Sequence, residues 1–185
     1  ITGFAHLFEH MMFKGTTTVG TKNYGLDVEI LAEQEAVREE MRREEAKLRA
    51  AFRRGEIDDL QKPENRGERL RELDRKFQEL IARQREILVK NDFARIYTAA
   101  GGSGMNAFTS EAMTAYFITV PANKLELWMW MESERLMRPV FREFYAERDV
   151  VYEERRLRTE STPLGKFQES FNSVFWDASP YQWPV

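Results

Sequence analysis

Two histidines occur in the 185 residues, and they stand four apart: His6 and His10, in the run H-L-F-E-H, with Glu9 between them. On an α-helix, positions i and i+4 share one face about a turn apart. Two imidazoles so placed can close on a single zinc ion at about 2.0–2.1 Å. Glu9, three residues after His6, lies on the same face and can reach a water on the metal without being a ligand. The usual zincin helix puts this Glu directly after the first His; here it directly precedes the second, so the motif runs in reverse. Small or apolar flanks (Gly3, Ala5, Met11, Met12, Phe13) suit a partly buried site.

A zinc that keeps one open position for chemistry needs a third protein ligand. The chain has no cysteine and no further histidine, so that ligand must be Asp or Glu. In A-E-R-D-V-V-Y-E-E-R-R, Glu147 and Glu154 are seven apart, nearly two helical turns, and project from one side. One can ligate while the other orients a ligand or supplies nearby charge. Glu153 is adjacent but points about 100° away. Spacing alone leaves open which of these carboxylates ligates.

These residues need elements to hold them. Residues 3–14 read as a helix. The Gly-rich stretch 101–109 reads as the entry into a strand, and A-Y-F-I-T-V at 115–120 as a second strand with β-branched and aromatic content. Asn123 reads as the cap of a helix through Leu125, Trp128, Met131 and Arg135 that Pro139 ends. A further helix spans about 142–158. Pro163 and Gly165 open a last amphipathic helix with Phe167, Phe171, Val174 and Phe175 on one side. Helices following antiparallel strands predict an α+β domain with an antiparallel sheet packed against helices.

Charge is distributed unevenly. Residues 26–90 hold 17 acidic and 16 basic side chains, with one Pro and two Gly, all between Gly55 and Gly67. In the second arm Leu70, Leu73, Phe77, Leu80, Gln84 and Ile87 follow steps of three and four, a coiled-coil seam with one polar position. The first arm repeats Ile30, Val37, Met41, Leu48 and Phe52, interrupted by Gln34 and Glu45. Turn signals fall in 54–67. This predicts an antiparallel helical hairpin over 26–91, inserted in a single domain over 1–185, with a solvated face of i,i+4 charge pairs. Docking of a partner on the hairpin is a competing role.

With 42% apolar residues, 13 Phe, 4 Trp and 6 Tyr, the chain can bury a core. A net charge of −3 argues against nucleic-acid binding through overall positive charge. Without cysteine, disulfide scaffolds and thiol catalysis are excluded. No apolar run approaches the roughly 20 residues of a membrane-spanning helix. The sequence starts at Ile1 and stops abruptly after Trp183-Pro184-Val185, so it reads as part of a longer protein.

G-F-A-H-L-F-E-H-M-M-F-K-G-T at Gly3–Thr16 resembles the signature of the inverzincins, the pitrilysin/insulinase family of zinc endopeptidases. Two further blocks are similar to that family's, in the same order. G-G-S-G-M-N-A-F-T-S at Gly101–Ser110 resembles its substrate-binding edge strand, and Glu147 with Glu154 resembles its pair of acids seven apart. The resemblance implies a bacterial member's N-terminal catalytic domain of the mitochondrial-processing-peptidase-like metallohydrolase fold, incomplete at both ends. It implies zinc held by His6, His10 and Glu154, Glu9 as general base to a metal-activated water, and Glu147 as supporting acid. Peptides or unfolded segments would bind as an added strand along Asn106, Ala107, Phe108 and Thr109. The partners implied are a peptide substrate and a second homologous domain or subunit that closes a chamber.

The sequence departs from the family pattern in places. The charged hairpin stands where many members have a short connection, and the strands that precede the zinc helix are absent. Ser179-Pro180-Tyr181 stands where many have His-Pro-Tyr. Bacterial members with this insertion imply a periplasmic or cell-envelope site. Some relatives have lost their ligands and only support an active partner, so the alternative function is a non-catalytic core or scaffold subunit.

Overall fold

The computed structural model describes residues 3–184. The chain divides into two compact units: one formed by residues up to Gly20 together with those from Val89 onward, the other by Thr21–Leu88.

The first unit is α+β. Its helices are α1 (Phe4–Met11), α4 (Asp92–Ala99), α5 (Leu125–Met137), α6 (Phe144–Arg155) and α7 (Pro163–Phe175), and its strands are β1 (Ser103–Thr109) and β2 (Thr114–Thr119). The strands pair antiparallel, with Asn106 opposite Phe117 and Thr109 opposite Thr114. The register shifts between Ser103 and Asn106, where Gly104 takes φ +67°. That left-handed value is one glycine adopts at no steric cost. Val19, Phe93, Tyr97 and Met131 form the core, packed by Ile96, Met105, Ile118, Val120 and Leu127. Each such large side chain, moved from water to this interior, contributes about 1.5–3 kcal/mol.

Two buried arginines fix the surroundings of α1. The Arg135 guanidinium lies 4.9 Å from the Phe13 ring centre, 4.5 Å from that of Phe93 and 5.2 Å from that of Tyr116. Its charge is met by Glu132, which also accepts a 2.7 Å hydrogen bond from the Tyr97 hydroxyl. Arg142 donates to the carbonyls of Lys14, Thr16 and Val19, at 3.2, 2.7 and 3.0 Å. It thereby holds the loop through which the chain leaves α1. A side chain at Gly15 would collide with Val19 O at 2.3 Å, so this close turn requires glycine.

The second unit is a helical hairpin of α2 (Tyr24–Arg53) and α3 (Glu68–Ile87). At 1.5 Å per residue the arms are about 45 and 30 Å long. Ile30, Val37, Met41, Leu70, Leu73, Phe77 and Leu80 bury the seam. Two of the three polar positions that interrupt it meet: Gln34 donates to Gln84 at 3.1 Å, and Gln84 donates to Asp27 at 2.8 Å, all three buried. Arg42 and Arg69 spend their charge on exposed carboxylates, and Lys47 pairs with half-buried Glu44.

Several expectations from the sequence need correction. Asn123 does not cap α5. It lies inside a single 3₁₀ turn, Ala122–Lys124, and no side chain caps the helix that follows. The sixth helix stops at Arg155 and continues as a π-helical stretch, Arg156–Glu160. The last amphipathic helix forms as expected, and its apolar face is exposed: Phe167, Phe171, Val174 and Phe175 are 65, 45, 85 and 60% exposed, and the rings of Phe171 and Phe175 stack at 5.1 Å. The helix α4 has no counterpart in the sequence-based reading. Among the described residues, no helix is long and apolar enough to cross a membrane.

Candidate metal centre

The centre is built from two short helices and the end of a strand. Glycine at position 3, with φ +79°, precedes α1, which presents His6 and His10 on one face and buries Glu9 and Met11. The two rings are 5.0 Å apart and nearly perpendicular, at 77°. The helix α6 supplies Glu147 and Glu154 from one side, two turns apart, as their spacing predicts.

Glu154 Oε2 lies 3.4 Å from His6 Nε2 and 3.8 Å from His10 Nε2. One ligand atom from each of the three residues falls within 4.8 Å of the others. Metal bonds of about 2.0–2.1 Å in a tetrahedron imply donor separations near 3.4 Å. The His6–Glu154 separation matches that figure, and the His10–Glu154 separation is 0.4 Å longer. Glu154 Oε2 is buried and accepts no hydrogen bond. Buried oxygens without a hydrogen bond are uncommon, and the Arg158 guanidinium reaches this one only at ion-pair range, 3.6 Å, so a metal ion is a fitting further partner. The donor set, two imidazoles and a carboxylate, suits zinc. Glu153, the alternative the spacing left open, turns outward and pairs with Arg156 at 3.1 Å.

The second face of His10 is also engaged. Its Nδ1 lies 3.2 Å from Glu147 Oε2. An ionised carboxylate only accepts, so Nδ1 carries the proton and neutral His10 keeps its Nε2 lone pair toward Glu154. The hydrogen bond to Glu147 raises the His10 pKa above 6.5, against the opposing effect of burial, and the charges of Glu154, Glu147 and Glu9 add to it. The same bond, with help from Lys14, lowers Glu147 below 4.5. Lys14 forms an ion pair with Glu147 and also meets Glu143 at 3.4 Å.

Glu9 is 9% exposed, and its Oε2 accepts a 2.5 Å hydrogen bond from the Thr109 hydroxyl. Tyr116 lies nearby; burial first, and the Glu9 charge second, push its phenol up to about 12. His6, Glu9, His10 and Glu154 line one cavity of about 580 Å³. Asn106, Ala107, Phe108 and Thr109 form another part of its wall. Asn106 Oδ1 accepts from Ala107 N at 2.9 Å, and Phe108 is 45% exposed. A two-pronged pairing of Arg155 with Glu169, at 2.6 and 2.9 Å, ties α6 to α7 along the same cavity.

The structure thus brings every sequence-predicted site residue to this cavity or, for Glu147, directly behind His10. The sequence-based reading missed Lys14, Thr114 and Arg158. Lys14 stands four after His10, so helical spacing could have flagged it. Arg158 stands four after Glu154 and reaches its Oε2 at 3.6 Å. Thr114 left no local signal, because only strand pairing brings it to Thr109.

A zinc protease of Helicobacter pylori, PqqE, is 35% identical to this chain over 98 residues. The match covers 52% of this chain and 22% of that protein, so the chain corresponds to less than a quarter of its relative's length. No protein-family model matches the chain. No solved structure matches it either.

Proposed function

We propose that the chain carries the catalytic centre of a zinc-dependent endopeptidase of the pitrilysin/insulinase type, acting on peptides or unfolded protein segments. The observation that carries this reading is the convergence of His6 Nε2, His10 Nε2 and the orphaned Glu154 Oε2, with Glu9 beside them in one cavity. The reversed histidine motif and the partial similarity to a protein named a zinc protease support it.

His6, His10 and Glu154 would hold the zinc. Bound there, zinc would supply Lewis acidity toward a water and a peptide carbonyl. Glu147 keeps His10 in the tautomer whose Nε2 faces the site. Glu9 takes a proton from the attacking water and delivers it to the amide nitrogen of the departing segment. The β1 residues Asn106–Thr109 offer backbone to an extended peptide, which adds to the strand and sets its carbonyl against the centre. A second homologous domain or subunit closing the chamber belongs to the same proposal.

The test is metal content together with cleavage. The purified full chain contains one zinc per molecule and hydrolyses an unfolded peptide. Glu9→Gln keeps the zinc and loses about 10²–10⁴-fold in rate. A folded protein with no affinity for zinc overturns the reading. One that holds zinc yet cleaves nothing is the non-catalytic subunit.

A further inference from the structure

We propose that Thr114 and Thr109 form a two-hydroxyl relay that orients the Glu9 carboxylate, which makes Thr109 a positioning residue for the base as well as a wall of the peptide cleft. The role given to Glu9 rests on the peptidase reading; the relay itself rests on hydrogen bonds alone.

A threonine hydroxyl has one proton to give and two lone pairs to receive with. Thr109 Oγ1 lies 2.5 Å from Glu9 Oε2, and an ionised carboxylate cannot donate, so the Thr109 proton is committed to Glu9. Thr114 Oγ1 lies 3.1 Å from Thr109 Oγ1. With the Thr109 proton spent, Thr114 must be the donor of that second bond. The direction is therefore fixed: Thr114 to Thr109 to Glu9. Hydroxyls in series polarise one another, and a hydroxyl on a carboxylate is among the stronger neutral-to-charged hydrogen bonds.

The relay is built into the end of the β-hairpin. Thr109 and Thr114 are directly opposite in the strand pairing, and Ser110 N donates to Met113 O at 2.8 Å to close the turn between them. Turn, strand pair and relay are one unit, and the partner at its end is the acid on α1. A glutamate's last torsion is broad and two-fold, so an unheld carboxylate turns freely. Occupying Oε2 stops that rotation and leaves Oε1 as the oxygen that takes the proton. A base whose proton-accepting atom is already aimed loses less orientational freedom at the reacting step.

The consequence is a kcat effect without a binding effect. Thr109→Val keeps the β-branched shape that suits a strand and removes only the proton. In the zinc-loaded full chain it lowers kcat about tenfold. KM for an unfolded peptide and the zinc affinity stay within about twofold. Thr109→Ser restores most of the rate, and Thr114→Val, one step further back, costs about two- to threefold. In the zinc-free full chain, proton NMR shows a slowly exchanging, downfield hydroxyl resonance that Thr109→Val and Glu9→Ala both abolish. A raised KM with kcat unchanged, a fallen zinc affinity, or no rescue by serine overturns the relay. So does the absence of that resonance from the wild-type protein. If the resonance is present but the wild type cleaves nothing, the relay stands and the peptidase reading is what fails.

Discussion

The hairpin α2–α3 and the pair α1–α6 both bring polar side chains together out of water, and they do it in opposite ways. In the hairpin, Gln34, Gln84 and Asp27 are all buried, and each hydrogen bond finds a donor and an acceptor within the set. Between α1 and α6, the Nε2 atoms of His6 and His10 converge on Glu154 Oε2, which accepts no hydrogen bond and meets the Arg158 guanidinium at 3.6 Å. A buried polar network that closes on itself specifies a register. One that leaves a buried acceptor without a hydrogen bond gains from a metal ion that joins it. The contrast separates polar residues that serve folding from those that serve chemistry.

Removing the closing member of the hairpin network tests one side of the contrast. Gln84→Ala strips Gln34 of its acceptor and Asp27 of a donor, and is expected to destabilise the hairpin by about 1–3 kcal/mol. Hydrogen exchange along α3 with added denaturant measures it. An unchanged opening free energy would mean the network contributes nothing.

On the other side, Glu147→Gln is expected to weaken zinc binding about 10–100-fold, by competition with a chelator, while leaving the fold intact. A loss of folding with zinc affinity preserved would reverse the assignment of Glu147 to the site.

The smallest effect is on pH. A histidine with a raised pKa stabilises the fold fully below its ordinary 6.5, and that contribution disappears as pH rises through the folded value. A carboxylate with a lowered pKa stabilises above its ordinary 4.5, and loses that as pH falls through the folded value. In metal-free protein the His10–Glu147 pair therefore contributes most between about pH 4.5 and 6.5. Zinc binding runs the other way, since the metal needs neutral His10 and its affinity falls on acidification. A Tm profile of the metal-free protein over pH 4–8 should peak in that window and flatten in Glu147→Gln. Identical profiles would show that the pair does not titrate as described.

The sequence made much of this visible because its signals are local. The spacing of His6, Glu9 and His10, and of Glu147 and Glu154, depends only on helical periodicity. So does the seam Leu70, Leu73, Phe77, Leu80, and all four are buried. Arg158 was missed although its partner Glu154 is four residues away; the other residues missed or misjudged have partners remote in sequence. Thr114 meets Thr109 through strand register, and Gln34 meets Gln84 through a fifty-residue excursion, so each polar residue looked like an interruption. The faces of α7 show the converse failure: periodicity identified an apolar stripe at Phe167, Phe171 and Phe175 but could not tell whether anything in this chain covers it. Asn123 had the right chemistry for a cap, yet the chain makes a 3₁₀ turn there before the helix begins.

The Arg142 guanidinium, donating to three carbonyls in the exit from α1, has a bearing on how small this centre can be made. At eight residues, α1 is well short of the roughly 12–15 at which an isolated helix begins to persist in water. Its shape relies on the tertiary structure around it, including the exit loop that a side chain more than 120 positions away holds. A synthetic peptide containing the two histidines would therefore lose the spacing that brings the rings together, and any miniature of the centre has to carry Arg142 and its loop along with it.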